Sequence, residues 1–281
     1  MQDKYNAVWV SHSSMGDYLR CPRLYYLHNV YKDPQTRRKI NIVNPILSLG
    51  IAVHEVLEGL ARGRMKTEDR FKKPLKERLE EEWEKVSGKK GGFKNLDDEK
   101  EMKDRAIVMI ERVEKNPEPL LYKTVKLKEG NNGMPPNFLL SPEENIILCG
   151  KIDWLIYRLE DDSVHILDFK TGKNEEKEES LQLPIYRLLL DNLQKRKVNG
   201  ASYWYIDRDD KPIEVSLPSR EEAFEKVIKI ARKVKKAREE KSFLCPKGEE
   251  GCFYCRPFEK IIKGEAEFIG KGDMNQDLYI V

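Results

Sequence analysis

The sequence predicts a single α/β domain over residues 1–281, with a central mixed β-sheet flanked by helices, and three observations support this class. Before about residue 118, apolar residues recur at steps of three and four, which is the period of an amphipathic helix. From about residue 119 to residue 172, short β-branched and aromatic runs alternate with turn-rich segments, a pattern typical of strands. Beyond residue 181, helical and strand patterns alternate again.

The N-terminal part is predicted to be mainly helical. The segment SHSSMGDYLRCPRLYYLHNVY predicts a helix that is capped by Ser13 or Ser14 and perturbed at Pro22. A second helix is predicted from about residue 46 to residue 60, because Leu, Val and Ala recur there at helical spacing. Residues 63–118 are rich in Lys and Glu and predict a helical insertion of two helices around the loop SGKKGGFKN.

The later part of the chain is predicted to supply the sheet. Strands are expected in the runs 120–128, 145–159 and 163–172, and two more in the run 201–217 around an Asp-Asp-Lys-Pro turn. Helices are expected at 181–193 and 219–241. The segment 243–260 has no regular period, so we expect an irregular cysteine-containing region there.

Composition restricts the class of protein. Charged residues make up 36% of the chain, above the roughly 25% of an average soluble protein, which indicates solvated helical surfaces. The 52 basic and 49 acidic residues leave a net charge of +3, so any nucleic-acid binding must come from a local basic groove. Apolar runs fall far short of the ~20 residues of a membrane span, and segment 1–10 has no signal-peptide core. We therefore expect a cytoplasmic protein that does not bind membranes.

Asp153, Asp168 and Lys170 form the group to which we assign the chemistry. Asp153 ends one predicted strand, Asp168 and Lys170 end the next, and a turn between the two strands would set these ends side by side. Side chains two residues apart on a strand share a face, so Phe169 should point into the core and leave its carbonyl near the carboxylates. Two carboxylates and a carbonyl are hard oxygen ligands that suit Mg²⁺ or Mn²⁺.

A metal at that position would explain why a lysine accompanies the carboxylates. The ion can polarise a phosphodiester and acidify a bound water, while the Lys170 ammonium offsets charge in the transition state or orients the attacking water. An Asp-x-Lys triplet by itself is also common on surface hairpins. The sequence around the triplet therefore decides between a metal site and an ordinary surface hairpin.

Four ordered elements resemble the PD-(D/E)XK nuclease superfamily, and specifically its RecB-like branch, which includes the AddB nuclease domain and the CRISPR-adaptation nucleases. They are Gly50 to His54 (G-x-x-x-H), Gly150 to Asp153 (G-x-x-D), Asp168 to Gly172 (D-x-K-T-G) and Gln182 to Tyr186 (Q-x-x-x-Y). The resemblance covers about residues 11–260. It implies a restriction-endonuclease-like core and metal-dependent DNA cleavage, exonucleolytic on single-stranded ends, in DNA repair, recombination or CRISPR adaptation.

The resemblance also implies a role for each matching residue. The implied catalytic residues are Asp153, Asp168, Lys170, Gln182 and Tyr186. The implied metal ligands are His54 as a neutral imidazole, Asp153, Asp168 and the carbonyl of Phe169. Glu55 points roughly 100° away from His54 on a helix and is the weaker candidate.

The cysteines form a second group. Cys21 lies in the context LRCPRLYY, while Cys245, Cys252 and Cys255 are spaced C-x6-C-x2-C. In a cytoplasmic chain such cysteines are better read as metal ligands or core thiols than as disulfides. The context of Cys21 resembles the iron–sulfur subgroup of the branch, which holds a [4Fe–4S] cluster with one N-terminal and three C-terminal cysteines.

The C-terminal spacing departs from that subgroup, because isoleucines stand where its last cysteine usually falls. We expect one shared metal centre that ties the region 243–260 to the N-terminal helix. A [4Fe–4S] cluster is expected, with zinc and metal-free buried thiols as the alternatives. Cys149 is predicted to be a core thiol outside this group.

Basic and aromatic residues near the first cysteine predict a surface for single-stranded DNA, because rings stack on unpaired bases and cations follow phosphates. The residues are Arg20, Arg23, Tyr25 and Tyr26. Partner subunits in a recombination or CRISPR-adaptation complex are also possible under the resemblance. Two other functions stay open, namely a DNA-binding scaffold subunit with a vestigial nuclease site and a zinc-stabilised interaction domain with no active site.

Overall fold

The computed structural model of the chain describes residues 6–63, 65–272 and 275–281. Residues 1–5, in the N-terminal segment considered above, and residue 64, in the predicted insertion, lie outside the described residues. The α/β class is confirmed, because mixed sheets are flanked by helices in the manner of a restriction-endonuclease-like core. Within the described ranges, no helix has both the length and the hydropathy needed to cross a membrane.

The elements follow one another in an alternating order. The described α-helices are α1 (His12–Arg20), α2 (Pro22–Tyr25), α3 (Pro45–Gly59), α4 (Leu75–Trp83), α5 (Leu96–Lys115), α6 (Gln182–Leu193), α7 (Arg220–Glu239) and α8 (Arg256–Ile262). The described strands are β1 (Val8–Val10), β2 (Lys39–Ile42), β3 (Asn137–Ser141), β4 (Ile146–Cys149), β5 (Trp154–Arg158), β6 (Ser163–Lys170), β7 (Lys197–Tyr205), β8 (Ile213–Val215), β9 (Glu267–Gly272) and β10 (Gln276–Ile280).

The described strands form three mixed sheets instead of the one central sheet that the sequence predicts. Their orders are β5-β6-β7-β8, β1-β4-β3 and β2-β10-β9, and each contains both parallel and antiparallel pairs. The predicted strand over 145–159 is divided, since β4 ends at Cys149 and β5 begins at Trp154. Between them the Asp153 carboxylate accepts the Phe169 N–H at 3.1 Å, taking the place of a ladder carbonyl.

Two further predictions about elements are wrong. The run 120–128 makes only one isolated bridge among the described residues, between Thr124 and Ile156. At its beginning the carbonyls of Leu120 and Tyr122 accept hydrogen bonds from the buried Arg70 guanidinium instead of from a strand. The cap of α1 is Ser11, whose hydroxyl accepts the N–H of Ser14 at 3.2 Å. In the C-terminal part, α8 interrupts the segment that lacks a period in the sequence.

The β5-β6-β7-β8 sheet lies between two apolar layers. One layer contains α3, α4 and α5 and receives Trp154, Phe169 and Trp204 from the sheet. The other layer contains α6 and α7 and receives Val164 and Ile166. Because side chains alternate along β6, Phe169 enters the first layer while its two neighbours point toward α6. The helices of the predicted insertion therefore share a core with the sheet that carries the acidic residues.

Candidate active site

Asp168 lies at the centre of a buried polar cluster on β6. It is 1% exposed, and its Oδ1 accepts hydrogen bonds from Gln182 Nε2 and the Tyr186 hydroxyl, each at 2.9 Å. Gln182 and Tyr186 stand one turn apart on α6, which allows both to reach the same oxygen. The other oxygen, Oδ2, is 2.9 Å from Lys170 Nζ and has no hydrogen-bond donor beyond that ion pair among the described residues.

Lys170 is surrounded by acceptors. Its Nζ lies 2.9 Å from Asp168 Oδ2 and 3.0 Å from Glu176 Oε2, donates to the Gln182 amide oxygen, and sits 4.7 Å from the centre of the Tyr203 ring. Burial opposes the charge, but the two carboxylates prevail and raise the pKa of Lys170 above its ordinary value. The lysine is therefore an ammonium at neutral pH. The sequence analysis missed Glu176, whose only signal is its place in an acidic run after the D-x-K-T-G element.

A second carboxylate group lies beside α3. His54 Nδ1 is 3.4 Å from Asp153 Oδ2 and 3.9 Å from Glu58 Oε1, and one ligand atom from each residue lies within 4.8 Å of the others. Burial, then Asp168 and Glu58, raise the pKa of Asp153 well above its ordinary value. Burial lowers the pKa of His54, which favours the neutral imidazole that metals bind.

These donors fit a divalent cation. His54, Glu58 and Asp153 converge on one point, whereas the predicted ligand Asp168 lies outside that group and turns its Oδ2 toward Lys170. Carboxylate oxygens with one imidazole suit Mn²⁺ or Mg²⁺, and a cation would relieve the repulsion that, after burial, raises the pKa of Asp153. The carbonyl of Phe169 stays a predicted ligand.

Glu58 is the acidic residue on α3 that the sequence analysis missed. It lies four residues after His54, so the two side chains share a face of the helix, and that spacing is the signal that could have identified it. Lys151 also pairs with Glu58. Glu55, the weaker candidate, points elsewhere and pairs with Arg62 at 2.6 Å.

The glycines that begin the G-x-x-x-H and G-x-x-D motifs lie at close contacts around this site. A Cβ placed on Gly50 would lie 3.2 Å from Thr171 Oγ1, a tight contact, so glycine favours the close approach of α3 to the end of β6. A Cβ on Gly150 would lie 2.9 Å from Leu189 Cδ1 of α6. Both helices that carry site residues are thus held close to the strand ends.

A comparison with known protein families agrees with the order of the four motifs and with the geometry of the site. A family model described as the PD-(D/E)XK nuclease superfamily matches residues 9–258. The chain belongs to the PD-(D/E)XK nuclease superfamily. No curated protein matches the chain.

The superfamily match also spans four cysteines that lie away from the carboxylates. The Sγ atoms of Cys21, Cys245, Cys252 and Cys255 lie within 4.8 Å of one another, with 3.7 Å from Cys252 to Cys255 and 3.8 Å from Cys255 to Cys245. All four are free thiols at separations too long for a disulfide, whose sulfurs are ~2.05 Å apart. The residues that the sequence predicts as one group therefore meet where α8 packs on the N-terminal helices.

The thiols of this group differ in acidity. Burial raises the pKa of Cys255 to about 12, whereas backbone N–H groups of Cys255 and Tyr254 overcome burial and lower the pKa of Cys252 to about 7. Thiolates are the metal-binding form, so one member of the group is ready to ionise near neutral pH. Cys149 lies on β4 outside this group, as predicted, and burial raises its pKa to about 11.

The predicted DNA-binding residues do not form one exposed surface. Tyr25 is 1% exposed, so its ring offers no face to a base, which corrects the prediction for this residue. One face of Tyr26 stacks on Phe243, and Arg23 is held by Glu259 at 2.8 Å. Arg20 alone of the four has a largely exposed side chain, at 59%. The helix breaks before Pro22, and after the break Tyr25 and Tyr26 point toward the interior. The sequence predicted one helix that is only perturbed at Pro22, and spacing on such a helix does not predict this orientation.

Proposed function

We propose that this chain is a metal-dependent deoxyribonuclease that hydrolyses phosphodiester bonds in DNA with Mg²⁺ or Mn²⁺. The observation that carries the proposal is the convergence of His54, Glu58 and Asp153 beside the Asp168–Lys170 pair, in a chain that belongs to this nuclease superfamily. His54, Glu58, Asp153 and Asp168 would hold the cation. When bound, that cation polarises a phosphate oxygen and lowers the pKa of a water molecule.

The remaining residues of the site orient and charge the reacting groups. Lys170 keeps an ammonium beside the carboxylates, where it can donate to a phosphate oxygen or to the attacking water. Gln182 and Tyr186 occupy Oδ1 of Asp168 and so direct its other oxygen toward Lys170. Glu176 holds Lys170 from the far side. These contacts fix the ammonium before substrate binds, which reduces the reorganisation needed in the transition state.

The finer assignment is exonucleolytic trimming of single-stranded ends by a RecB-like enzyme of DNA repair, recombination or CRISPR adaptation. It rests on the resemblance of the four ordered motifs and of the Cys21 context to that branch. An assay with linear and circular DNA, each single- or double-stranded, tests it in Mn²⁺ and Mg²⁺. We expect cleavage of linear single strands only; cleavage of circles would replace the exonuclease assignment with an endonuclease.

The same assay separates an enzyme from a scaffold. Wild type is compared with Asp168→Asn and with Asp161→Asn, a matched change in the β5–β6 turn. We expect Asp161→Asn to cut like wild type and Asp168→Asn to be inactive. DNA binding without cleavage by anaerobically prepared, correctly folded wild type would favour the scaffold function and overturn the nuclease.

We further propose that the four cysteines share one structural metal centre, as a [4Fe–4S] cluster or as zinc. The Cys21 context supports the cluster. The spacing supports zinc, since thiolates ~2.3 Å from one tetrahedral ion lie ~3.8 Å apart, close to the 3.7 and 3.8 Å separations, whereas cluster thiolates bind separate irons and stand farther apart. Metal analysis of anaerobically purified protein decides: brown protein with iron and sulfide, colourless protein with one zinc, or metal-free protein, which would reject the centre.

A further inference from the structure

The helix α3 exposes a row of large aliphatic side chains. Ile46, Leu47 and Ile51 are 63%, 53% and 54% exposed. At 3.6 residues per turn these positions fall on the same half of the helix as Gly50 and His54. We call the three residues the α3 stripe. Scattered exposed aliphatics are ordinary, but a contiguous group beside a reactive site indicates a contact surface.

The stripe is not needed to hold α3 in the fold. The side of the helix away from the stripe, including Leu49, Ala52 and Val56, is already buried against α4, α5 and the sheet. Polar residues at the stripe positions would therefore cost α3 little packing. Packing within the described part of the chain therefore does not explain why these three exposed residues are aliphatic.

One end of the stripe leads into the candidate active site. His54 lies on the same side of α3, and Ile46 is eight residues before it, which is ~12 Å along the helix axis. Gly50, in the middle of this side, faces Thr171 of the turn after β6. Lys173, two residues farther on, is exposed. A ligand on the stripe would thus touch the turn that follows Lys170.

The other end of the stripe meets a lysine-containing loop. The Ser48 hydroxyl donates to the Gly91 carbonyl at 2.9 Å, which attaches residues 88–94 to the beginning of α3. Lys90 and Lys94 in this loop are exposed and take part in no ion pair recorded for the described residues. Lys89 differs, because it pairs with Glu267. Two segments with exposed lysines therefore contact α3 on either edge of the stripe, the loop 88–94 at Ser48 and the turn after β6 at Gly50.

We propose that the α3 stripe contacts unpaired bases of a single DNA strand whose phosphates follow Lys90, Lys94 and Lys173 to the active site. This inference rests on the proposed function and names its substrate form. Apolar side chains cover base faces and cations bind phosphates in single-strand grooves, and Leu and Ile also act as wedges between bases. The flanking lysines favour a polyanion over an apolar protein partner. A duplex buries its base faces, so the stripe selects single strands.

The test measures base-dependent binding without cleavage. Fluorescence anisotropy gives the affinity for labelled oligothymidylate and for an abasic strand of equal length, in Ca²⁺. We expect wild type to prefer oligothymidylate, and Leu47→Ser/Ile51→Ser to lose roughly tenfold on oligothymidylate and nothing on the abasic strand. Leu47→Trp, which adds a stacking ring, should strengthen oligothymidylate binding only.

Two controls make the result specific. Leu159→Ser alters a leucine that is 68% exposed in the β5–β6 turn, at the opposite end of these strands from Asp153 and Asp168, and should change neither affinity. Lys90→Ala/Lys94→Ala should weaken both strands and reduce the salt dependence.

Equal losses on both strands, or no loss, from the Leu47→Ser/Ile51→Ser variant would overturn the inference. Because binding in Ca²⁺ needs no turnover, wild type that binds bases but never cleaves in Mn²⁺ overturns only the proposed function.

Discussion

At the scale of residues, the fold holds several carboxylates close together in a buried site. Burial raises the pKa of Asp153, and the like charges of Asp168 and Glu58 raise it further. A buried group of this kind is costly unless a cation or a proton compensates it. The residues that would bind the metal are therefore also the residues that strain the metal-free protein.

This strain predicts a pH dependence of stability. Because its folded-state pKa is raised, Asp153 stabilises the metal-free protein below the ordinary carboxyl pKa, and this contribution is lost as the pH rises through the raised value. Asp153→Asn should therefore raise the melting temperature in EDTA at neutral pH and flatten its decline as the pH rises above the ordinary carboxyl pKa of about 4. A lower melting temperature for Asp153→Asn than for Asp161→Asn across that range would contradict this account.

Metal affinity should depend on Glu58 as well as on His54. We expect Glu58→Gln and His54→Ala to need roughly tenfold more Mn²⁺ for half-maximal cleavage, with much of the rate recovered at saturation, because the other carboxylates still hold the ion. Glu55→Gln is the matched control on the adjacent face of α3 and should titrate like wild type. A shift for Glu55→Gln equal to that for Glu58→Gln would refute the ligand assignment.

The sequence predicted most of the residues that meet in the site, for identifiable reasons. Strand alternation placed Asp168 and Lys170 on one face, and the Q-x-x-x-Y spacing placed two donors on one side of a helix. Glu176 could not be predicted, because an irregular loop of eleven residues between β6 and α6 determines where it lies. Tyr25 was misjudged because the helix breaks before Pro22.

At the scale of elements, α5 supports the turn that follows Lys170. Arg105 donates to the Thr171 carbonyl at 2.9 Å and, through two nitrogens, to both oxygens of Asp207 at 2.9 Å. Thr171 follows Lys170 directly in the chain. The helical segment 63–118 thus contacts this turn as well as the core, and we propose Arg105 as a positioning residue.

Loss of this contact should reduce turnover more than binding. We expect Arg105→Ala to lower kcat about 10²-fold with little change in KM, since a ~1 Å misplacement of a catalytic group can cost that much. Arg105→Lys should restore part of the rate. Arg232→Ala removes a comparable two-nitrogen contact, to Glu144, on the exposed surface of α7 and serves as the control. Equal kcat values for the two alanine variants would contradict a positioning role for Arg105.

The helices were easier to predict than the strands. The helices α3, α6 and α7 carry apolar residues at helical spacing, and their observed bounds lie within a few residues of the predictions. The short strands β1 and β2 were missed because their partners, β4 and β10, are distant in the chain. The neighbouring strands β9 and β10 were missed as well. The break between β4 and β5 near Gly150 was also missed. It depends on the hydrogen bond from the Phe169 N–H to the Asp153 side chain, which the local pattern of apolar residues does not reveal.

At the scale of the whole molecule, the cysteine group joins the two ends of the domain. Cys21 follows α1, whereas Cys245, Cys252 and Cys255 lie between α7 and α8. A metal shared by them closes a loop of almost the whole chain, and such binding contributes directly to folding. Leu24 and Ile40 from the N-terminal part pack against Phe258 of α8 in the same region, so the metal would add to an existing contact.

Cysteine substitutions should separate ligands from the core thiol. We expect Cys21→Ser and Cys252→Ser each to lose the metal and to melt at a lower temperature, and proteolysis should then begin in the region 243–260. Cys149→Ser should keep full metal content at a cost of about 1–3 kcal/mol in the free energy of unfolding. Metal content that survives both Cys21→Ser and Cys252→Ser would contradict a shared centre.

The central claim is that Asp168 and Lys170, with the ion held beside them, hydrolyse DNA. Its most direct measurement is the single-turnover cleavage rate of an end-labelled single strand in Mn²⁺, for wild type, Asp168→Asn, Lys170→Ala and the control Asp161→Asn. We predict cleavage by wild type and by Asp161→Asn that stops in EDTA, and a loss of at least about 10²- to 10³-fold in the other two, whose folding and DNA binding in Ca²⁺ are retained. Cleavage at the wild-type rate by folded Asp168→Asn or Lys170→Ala, or cleavage that persists in EDTA, would contradict the account.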